Sequence, residues 1–378
     1  MKVILEAQHA VGHPHPRGVG HYSINLIQAL LRRKTFDYEL AFFDYNREAK
    51  NLARAEKNFN QFDVSFKECN ELDYRIASRD DNAYNAKIYN EWTNTNGDVY
   101  HFMNPITVPL RLNGKMVVTI HDLNFDSHNT HTMPLFELGL SRIKRVQPFV
   151  IADSQYTSQQ VVEYLKISEK QVAVIYPAHD EVNIYPEKTD VSSIVYGEYL
   201  LYIGAWVKNK NIPRIIEAFN CVSMKNKGLK LVLAGKPAWH DTVEINEVIN
   251  ASPFREQIIT PGYISAEQKR RLYSNALCFV FPSICEGFGL PVLEAMACGC
   301  PVITANNTSL PEVGGEAAIY VDAYNTEQLA HEMERVVNSE SFRKEIAGKG
   351  LKQSKKFSWD KAAEQVEEVY RRRKVFLC

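Results

Sequence analysis

The sequence lacks an excess of either charge and any long hydrophobic run. Its 44 Lys and Arg residues nearly balance its 45 Asp and Glu residues, which argues against nucleic acid as a partner, because phosphate-backbone binding needs a strongly basic face. No segment approaches the length that spans a bilayer, and Glu6 interrupts the first apolar run, unlike the apolar part of a signal peptide. We therefore expect a globular cytoplasmic protein, large enough at 378 residues for two cores.

Residue patterns typical of a metal centre are also missing. The seven cysteines are odd in number, and the Cys298-Gly-Cys300 pair has no second pair at zinc spacing, which favours reduced thiols in the interior. His13 and His15 have no carboxylate or cysteine at a suitable spacing, which favours a loop. No DxD-like pair stands out in the expected context, and the sequence has no Walker loop or Gly-x-Ser-x-Gly motif. We expect neither a metal nor a cofactor.

Strand-like and helix-like segments alternate along the whole chain, which predicts an α/β protein with parallel sheets. The predicted strands of a first domain are 3–7, 41–44, 99–102, 117–120, 150–152 and 172–175, with a helix at 22–32. Residues 177–196 contain prolines and many polar residues and are the best linker candidate. The predicted strands of a second domain are 199–203, 229–234, 257–259, 277–281, 301–304 and 318–321, and Ser358 is a plausible N-cap of a last helix.

Two glutamates flank a predicted turn from strand to helix. Residues 277–281 are apolar without alternation, which predicts a strand buried on both faces, so that Glu286 lies in the loop at its carboxyl end. Pro291 suits the first turn of a helix and Gly299 its end, which places Glu294 in the first turn. Ligands bind at the carboxyl ends of strands in such sheets, so both acids can face one. The alternative is a solvated loop acid and a carboxylate that only complements the helix dipole.

The segment from Glu286 to Glu294 resembles the E-x7-E signature of retaining glycosyltransferases of family four, which have the GT-B fold. The similarity continues to Val302 and through the loop from Ser309 to Glu312. It extends over essentially the whole chain. The resemblance implies two Rossmann-like domains with parallel sheets that face each other across a cleft. It also implies an acceptor-side domain at 1–185, rejoined by a crossover helix at about 358–378, and a nucleotide-sugar-binding domain at 190–357.

Two segments of the first domain resemble ligand-binding segments of this family. The Gly18-Val-Gly20 loop precedes an amphipathic helix and can present backbone N–H groups to a diphosphate; taken alone, it is equally an ordinary turn. His121, at the exit of a predicted buried strand, is by itself more typical of a hydrogen-bonded packing residue. The family places a phosphate-binding glycine loop at the first position. At the second it places a His-Asp pair, here His121 and Asp122, whose histidine contacts the donor sugar.

Lysines follow the first predicted strand of the second domain, where a compact positive charge can neutralise a departing diphosphate. Aligned by Asn211, Lys210 matches the lysine of the family. The arginines often seen nearby are replaced by Ala205 and Asn209, and Lys208 is a candidate substitute. The alternative is that these are solvated surface lysines.

The resemblance implies a specific role for each candidate. Glu286 holds the hydroxyls of the donor sugar, Lys210 stabilises the leaving diphosphate, and His121 orients the sugar; these are the candidate catalytic residues. Glu294 holds the ribose. Loops at Gly235 and Tyr263 resemble those that line the base pocket, although plain turns explain them equally well. The full candidate donor-binding set is Gly18, Gly20, Lys208, Gly235, Tyr263, Gly287, Phe288, Gly289, Leu290, Glu294, Ser309 and Leu310.

The implied function is metal-independent transfer of a hexose from a nucleotide diphosphate sugar, with retention at the anomeric carbon. The motifs look most like bacterial mannosyl- or rhamnosyltransferases of surface polysaccharides such as lipopolysaccharide, with GDP-mannose as the first donor and UDP-sugars next. The acceptor is a saccharide or lipid-linked saccharide. Another GT-B enzyme, such as a sugar-phosphate synthase or an epimerase, and a non-catalytic nucleotide-sugar-binding module are alternatives. Arg371 to Lys374 could contact the membrane face peripherally or simply complement a helix dipole.

Overall fold

The structure is a computed structural model that describes residues 1–13, 18–43, 50–69, 81–84, 86–123, 133–235 and 242–372. The chain divides into two units. The first comprises Met1–Pro177 with Ser358–Cys378, and the second comprises Ala178–Phe357. Among the described residues, no helix is long and apolar enough to cross a membrane.

The described residues of the first unit form a seven-stranded parallel sheet in the order β3-β2-β1-β4-β5-β6-β7. The central strands are mostly apolar and almost wholly buried, as expected where both faces of the sheet are covered. Its strands are β1 (Lys2–Glu6), β2 (Asp37–Phe43), β3 (Ser65–Cys69), β4 (Val99–Phe102), β5 (Lys115–Ile120), β6 (Phe149–Ala152) and β7 (Val172–Val174).

Helices connect most of these parallel strands, whereas β4 and β5 are joined by a segment with a single 3₁₀ turn, Pro105–Thr107. Ser154 begins the helix after β6, where its side chain accepts a hydrogen bond from the Thr157 N–H at 3.0 Å. The helices of this part of the chain are α1 (Gln8–Val11), α2 (Gly18–Arg33), α3 (Lys50–Phe59), α4 (Asp81–Tyr84), α5 (Tyr89–Thr93), α6 (Met133–Val146) and α7 (Gln155–Leu165).

A six-stranded parallel sheet, in the order β10-β9-β8-β11-β12-β13, forms the described part of the second unit. Its strands are β8 (Tyr199–Ile203), β9 (Lys230–Ala234), β10 (Ile258–Gly262), β11 (Cys278–Phe281), β12 (Val302–Ala305) and β13 (Ile319–Val321). The helices that connect them are α8 (Ile212–Ser223), α9 (Thr242–Ala251), α10 (Ala266–Asn275), α11 (Leu290–Ala297) and α12 (Leu310–Gly314), and two more, α13 (Thr326–Asn338) and α14 (Glu340–Ser354), follow β13.

The strand order of each sheet reverses direction at one place. In the first unit the order runs outward from β1 on one side and from β4 on the other, and in the second unit the corresponding neighbours are β8 and β11. Both sheets therefore follow the Rossmann pattern, in which the crevice at the carboxyl ends of these two strands binds the ligand. These two parallel-sheet domains confirm the predicted α/β class.

The last helix, α15 (Trp359–Arg371), packs against α2 in the first unit. Its Glu367 is fully buried and accepts hydrogen bonds from Arg33 Nε at 3.1 Å and from the Tyr38 hydroxyl at 3.0 Å. At its carboxyl end, Lys115 Nζ donates to the carbonyl of Tyr370 at 3.3 Å. A positive charge at this end of a helix is stabilising.

At the basic end of α15, Arg371 contacts other residues of the first unit. Arg371 Nη2 lies 3.8 Å from the carboxylate of Glu367, and its guanidinium lies 5.0 Å from the centre of the Phe36 ring. These contacts favour an intramolecular role for Arg371. Arg373 and Lys374 lie outside the described residues.

Candidate functional site

Lys210 and Glu286 meet at the reversal point of the second sheet. Lys210 ends a short 3₁₀ turn after β8, and Glu286 lies in the loop after β11. Lys210 Nζ lies 2.5 Å from Glu286 Oε1, and the two side chains are 18% and 11% exposed. The structure therefore brings two of the predicted catalytic residues together, at the place where this sheet type binds its ligand.

Asn209 explains how these two loops are held together. Its carbonyl accepts hydrogen bonds from the Ile284 N–H at 2.8 Å and the Ser283 hydroxyl at 2.9 Å, and its side-chain amide donates to the Cys285 carbonyl at 3.0 Å. The amide that replaces an arginine of the family thus supports the glutamate loop instead of adding a charge. Lys208, the candidate substitute, is exposed one residue earlier.

Glu294 belongs to a second acid–lysine pair. It is the fifth residue of α11, so the prediction that it lies in the first turn of the helix is wrong, because the helix begins at Leu290, one residue before Pro291. Lys269 Nζ lies 2.6 Å from Glu294 Oε1, and the Tyr273 hydroxyl lies 3.5 Å from Oε2. Burial, and then the charge of Glu294, raise the pKa of the Tyr273 hydroxyl well above its ordinary value, so this group donates to the carboxylate. Lys269 and Tyr273 were not among the predicted site residues. Their spacing of four places them on one face of α10, which is a signal that sequence offers.

The loop between the two glutamates is fixed by its own packing. The buried Ser309 hydroxyl lies 2.9 Å from the carbonyl oxygens of both Glu286 and Phe288. Gly289 has φ 106°, and a Cβ there would lie 2.9 Å from the side chain of Leu310. The side chains of Phe288 and Leu310 are buried, so these predicted donor-binding residues can reach a ligand only through their backbones. Gly287 and Leu290 are half-buried at the edge of the same turn.

Gly235 is required by a close approach between two neighbouring loops. It has φ 131°, and a Cβ there would lie 1.9 Å from the carbonyl oxygen of Gly204 after β8. Its N–H donates to the Gly262 carbonyl at 2.8 Å. The adjacent Tyr263 is 61% exposed. The tight turn alone therefore explains why residue 235 is a glycine. Tyr263 is accessible at the same edge of the sheet.

His121 leaves the end of β5 in the first unit and is held at both ring nitrogens. Nδ1 lies 2.6 Å from Asp153 Oδ2, and Nε2 lies 3.0 Å from the carbonyl oxygen of Met103. Burial lowers the pKa of His121, but the charge and hydrogen bond of Asp153 outweigh it, so the pKa lies above its ordinary value. Both acceptors are satisfied by a protonated ring that donates twice. Asp153, after β6, was not predicted.

The groups around His121 are kept in different protonation states. Burial and the charge of His121 lower the pKa of His9 to about 4 and that of His101 to about 3, so both are neutral near pH 7. Burial raises the pKa of Glu6, at the end of β1, to about 8. The ring of Tyr22 stands edge-on to His121, with 4.6 Å between the ring centres.

Gly18 and Gly20 lie in the first turn of α2, two to four residues before Tyr22. Such a turn presents free backbone N–H groups and the positive end of the helix dipole, which suit an anion. A Cβ at Gly18 would meet no atom within 4 Å, so packing alone does not require glycine there. Among the described residues, no group of His, Cys, Asp and Glu side chains is arranged to hold a metal ion.

Comparison with known sequences identifies relatives along the whole chain. Residues 196–353 match the family model described as Glycosyl transferases group 1. The O-antigen chain mannosyltransferase B of Escherichia coli is 26% identical over 373 residues, which cover 94% of this chain and 96% of that protein. The serotype-specific mannosyltransferase WbdA of Escherichia coli is 31% identical over 232 residues, but these cover 59% of this chain and only 28% of WbdA.

Solved structures with the same fold cover nearly the whole chain. Sucrose-phosphate synthase from Thermosynechococcus elongatus has a TM-score of 0.76 at 17% identity and covers 98% of both chains. WaaG, a glycosyltransferase involved in lipopolysaccharide biosynthesis, has a TM-score of 0.70 at 12% identity and covers 98% of this chain and all of its own. Identities this low establish the fold alone.

Proposed function

We propose that this chain, which matches the Glycosyl transferases group 1 model over residues 196–353 and resembles bacterial O-antigen mannosyltransferases, is a glycosyltransferase of polysaccharide synthesis that transfers mannose from GDP-mannose. The acceptor is a hydroxyl of a saccharide or lipid-linked saccharide, and the anomeric configuration is retained. The observation that supports this proposal is the Lys210–Glu286 pair at the reversal point of the second sheet, together with Glu294 in the helix that follows the glutamate loop.

The two units have separate tasks in this proposal. The second unit binds the nucleotide sugar, because it carries both glutamates and both lysines that face them. The first unit supplies the acceptor side, with His121 and the N-terminal turn of α2. The boundaries of these tasks follow the division at Pro177 and Phe357.

The proposed reaction exchanges one bond at the anomeric carbon. The acceptor oxygen forms a bond to C1 on the face from which the nucleotide diphosphate departs, and the bond between C1 and the phosphate oxygen breaks. The acceptor proton passes to that departing phosphate oxygen. Lys210 stabilises the developing negative charge, because a preorganised cation in a partly buried site acts more strongly than one in water. The diphosphate competes with Glu286 for this ammonium group.

The two glutamates act as acceptors of hydrogen bonds. Glu286 accepts from hydroxyls of the transferred sugar, and Glu294 accepts from the ribose, which takes the place of Lys269 at that carboxylate. Lys269 is then free to contact the nucleotide. In this proposal Glu286 binds the sugar and is not a covalent nucleophile.

The direct test incubates the full chain with GDP-mannose, UDP-glucose and UDP-N-acetylglucosamine, each with and without a lipid-linked saccharide. We expect transfer from GDP-mannose only when acceptor is present, an α-linked product by NMR, and loss of transfer in Glu286→Gln. Glu256→Gln, at an exposed acid of the same unit, is the matched control.

Other outcomes of the same assay identify the alternatives. Conversion of a nucleotide sugar without any acceptor indicates an epimerase, and transfer only to an added sugar phosphate indicates a sugar-phosphate synthase. Transfer from a UDP-sugar alone refutes the GDP-mannose assignment, and a β-linked product refutes retention. Donor binding with no turnover for any pair indicates a binding module.

A further inference from the structure

Helix α15 contacts the aromatic neighbour of His121 at its first residue. The rings of Trp359 and Tyr22 meet edge to face with 5.5 Å between their centres. Tyr22 in turn stands edge-on to His121, at 4.6 Å and an interplanar angle of 76°. Tyr22 is only 3% exposed, so its ring position is set by these buried neighbours. A ring of α15 therefore touches a ring that touches His121.

The other end of α15 reaches Tyr22 through buried polar side chains. The Tyr370 hydroxyl lies 2.7 Å from His101 Nδ1, and His101 Nε2 lies 2.8 Å from Thr119 Oγ1. Thr119 Oγ1 is 3.5 Å from the Tyr22 hydroxyl, a long contact. His101 and Thr119 are fully buried. This chain of contacts links the two ends of α15 to the same tyrosine.

The protonation of His101 suits this connection. Its pKa is lowered by burial and by the charge of His121, so the ring is neutral. A neutral imidazole has one donor and one acceptor nitrogen, which matches one hydroxyl on each side. Both ring nitrogens are then satisfied without a charge, and loss of either hydroxyl leaves a buried nitrogen without its partner.

We propose that Tyr22 is a positioning residue for His121 and that α15 holds Tyr22 in place through Trp359 and Tyr370. The hydrogen bonds to Asp153 and Met103 hold the two nitrogens of His121. The edge of Tyr22 packs against the ring and prevents the side-chain rotations that would break these two bonds. The inference rests on the proposed role of His121 at the donor sugar.

The test removes one hydroxyl from α15. Tyr370→Phe is expected to lower kcat about tenfold with donor KM unchanged within twofold, because misplacement of a reacting group by about 1 Å costs up to about 10² in rate. The matched control is Tyr89→Phe, which removes a buried hydroxyl of the same unit that has no hydrogen-bond partner within the described residues. We expect kcat of this control to equal that of the wild type.

A second variant and a spectroscopic measurement complete the test. Trp359→Phe replaces the indole ring that contacts Tyr22 by a smaller phenyl ring and is expected to lower kcat in the same way. The loss in the double variant should be smaller than the product of the two single losses, since both act on one ring. In both single variants the ¹⁵N resonances of the His121 ring should shift, whereas they should stay in place in Tyr89→Phe.

Two results would overturn the inference. The first is a kcat for Tyr370→Phe equal to that of Tyr89→Phe, and the second is a set of His121 resonances that are unchanged in both α15 variants. A wild type without transferase activity refutes the proposed function instead. In that case the resonances still decide whether α15 positions His121.

Discussion

Substitution of Glu6 by Gln should make the first unit more stable, and increasingly so as pH rises. Glu6 is 2% exposed at the end of β1, and its Oε1 accepts one hydrogen bond, from the Gln8 N–H at 3.2 Å. Burial raises the pKa of this carboxyl from 4.5 to about 8, although hydrogen bonds with the backbones of Gln8 and Met103 and with the side chain of Thr107 oppose the shift. A carboxyl in such a place is held as the neutral acid.

The sign and size of the effect follow from proton binding. Between pH 4.5 and 8 the folded state holds a proton on Glu6 that the unfolded chain has lost. The folded state therefore binds more protons, and the contribution of Glu6 to stability is fully present below the unfolded pKa and disappears as pH rises through the folded pKa. One pKa unit corresponds to about 1.4 kcal/mol, so this group loses about 2.5 kcal/mol between pH 5 and pH 7. Glu6→Gln cannot titrate and should avoid that loss.

The measurement is urea unfolding at pH 5, 6 and 7, read by pulsed hydrogen exchange in peptides that contain β1, so that the first unit is followed by itself. The free energy of unfolding of Glu6→Gln, relative to wild type, should rise by about 2.5 kcal/mol from pH 5 to pH 7. Glu56→Gln, at an exposed position of α3, controls for the loss of one negative charge. A difference that stays constant across this range, or one that falls, would refute the assignment of a neutral buried carboxyl.

Three further predictions concern the transferase reaction. Activity in EDTA should stay within a few-fold of that in magnesium, because protein cations and helix ends balance the diphosphate; complete loss that a divalent cation restores contradicts this. Glu286→Ala should mainly lower kcat, whereas Glu294→Ala should mainly weaken binding of donor and free nucleotide in calorimetry. Unchanged nucleotide affinity in Glu294→Ala would show that the ribose assignment is wrong. Lys210→Ala should lower kcat about 10²–10³ with little change in KM, and Lys208→Ala less so; the reverse order in steady-state kinetics would identify Lys208 as the phosphate ligand.

The elements around the glutamate pair could be predicted because their local signals agree. The apolar run before Pro282 indicates a strand, Pro291 indicates the start of a helix, and Gly299 indicates its end. The observed β11 and α11 agree with these three signals. Lys210 and Glu286 were each proposed from the family resemblance, and the structure adds that their loops leave the adjacent strands β8 and β11. The 2.5 Å distance between them could not be read from sequence.

Strands with charged residues were harder to predict. β2 begins at Asp37, four residues before the predicted start, because Glu39 is buried and paired with Lys2 at 3.2 Å. β3 (Ser65–Cys69) was missed, since its sequence contains the adjacent charges Lys67 and Glu68 and gives neither an alternating pattern nor a continuous apolar run. In both cases a tertiary partner or an edge position outweighs the local pattern.

The missed site residues share a different cause. Asp153, Lys269 and Tyr273 belong to other elements than the groups they contact, and each lies between 21 and 32 residues from its partner. No local motif marks them. Their roles arise only when strand order brings the carboxyl ends of the neighbouring β5 and β6, or the neighbouring helices α10 and α11, into contact.

The path of the chain through the first unit determines the order in which the protein can be completed during synthesis. The second unit, Ala178–Phe357, is continuous in sequence and can close as soon as it has left the ribosome. The first unit cannot fold completely at that stage, because Arg33 and Tyr38 form hydrogen bonds with Glu367, which is synthesised more than 300 residues later. The amino-terminal part is therefore translated first but finished last. Nascent chains that end before Trp359 expose the face of α2 that α15 covers. We expect chaperones and proteases to bind these incomplete chains.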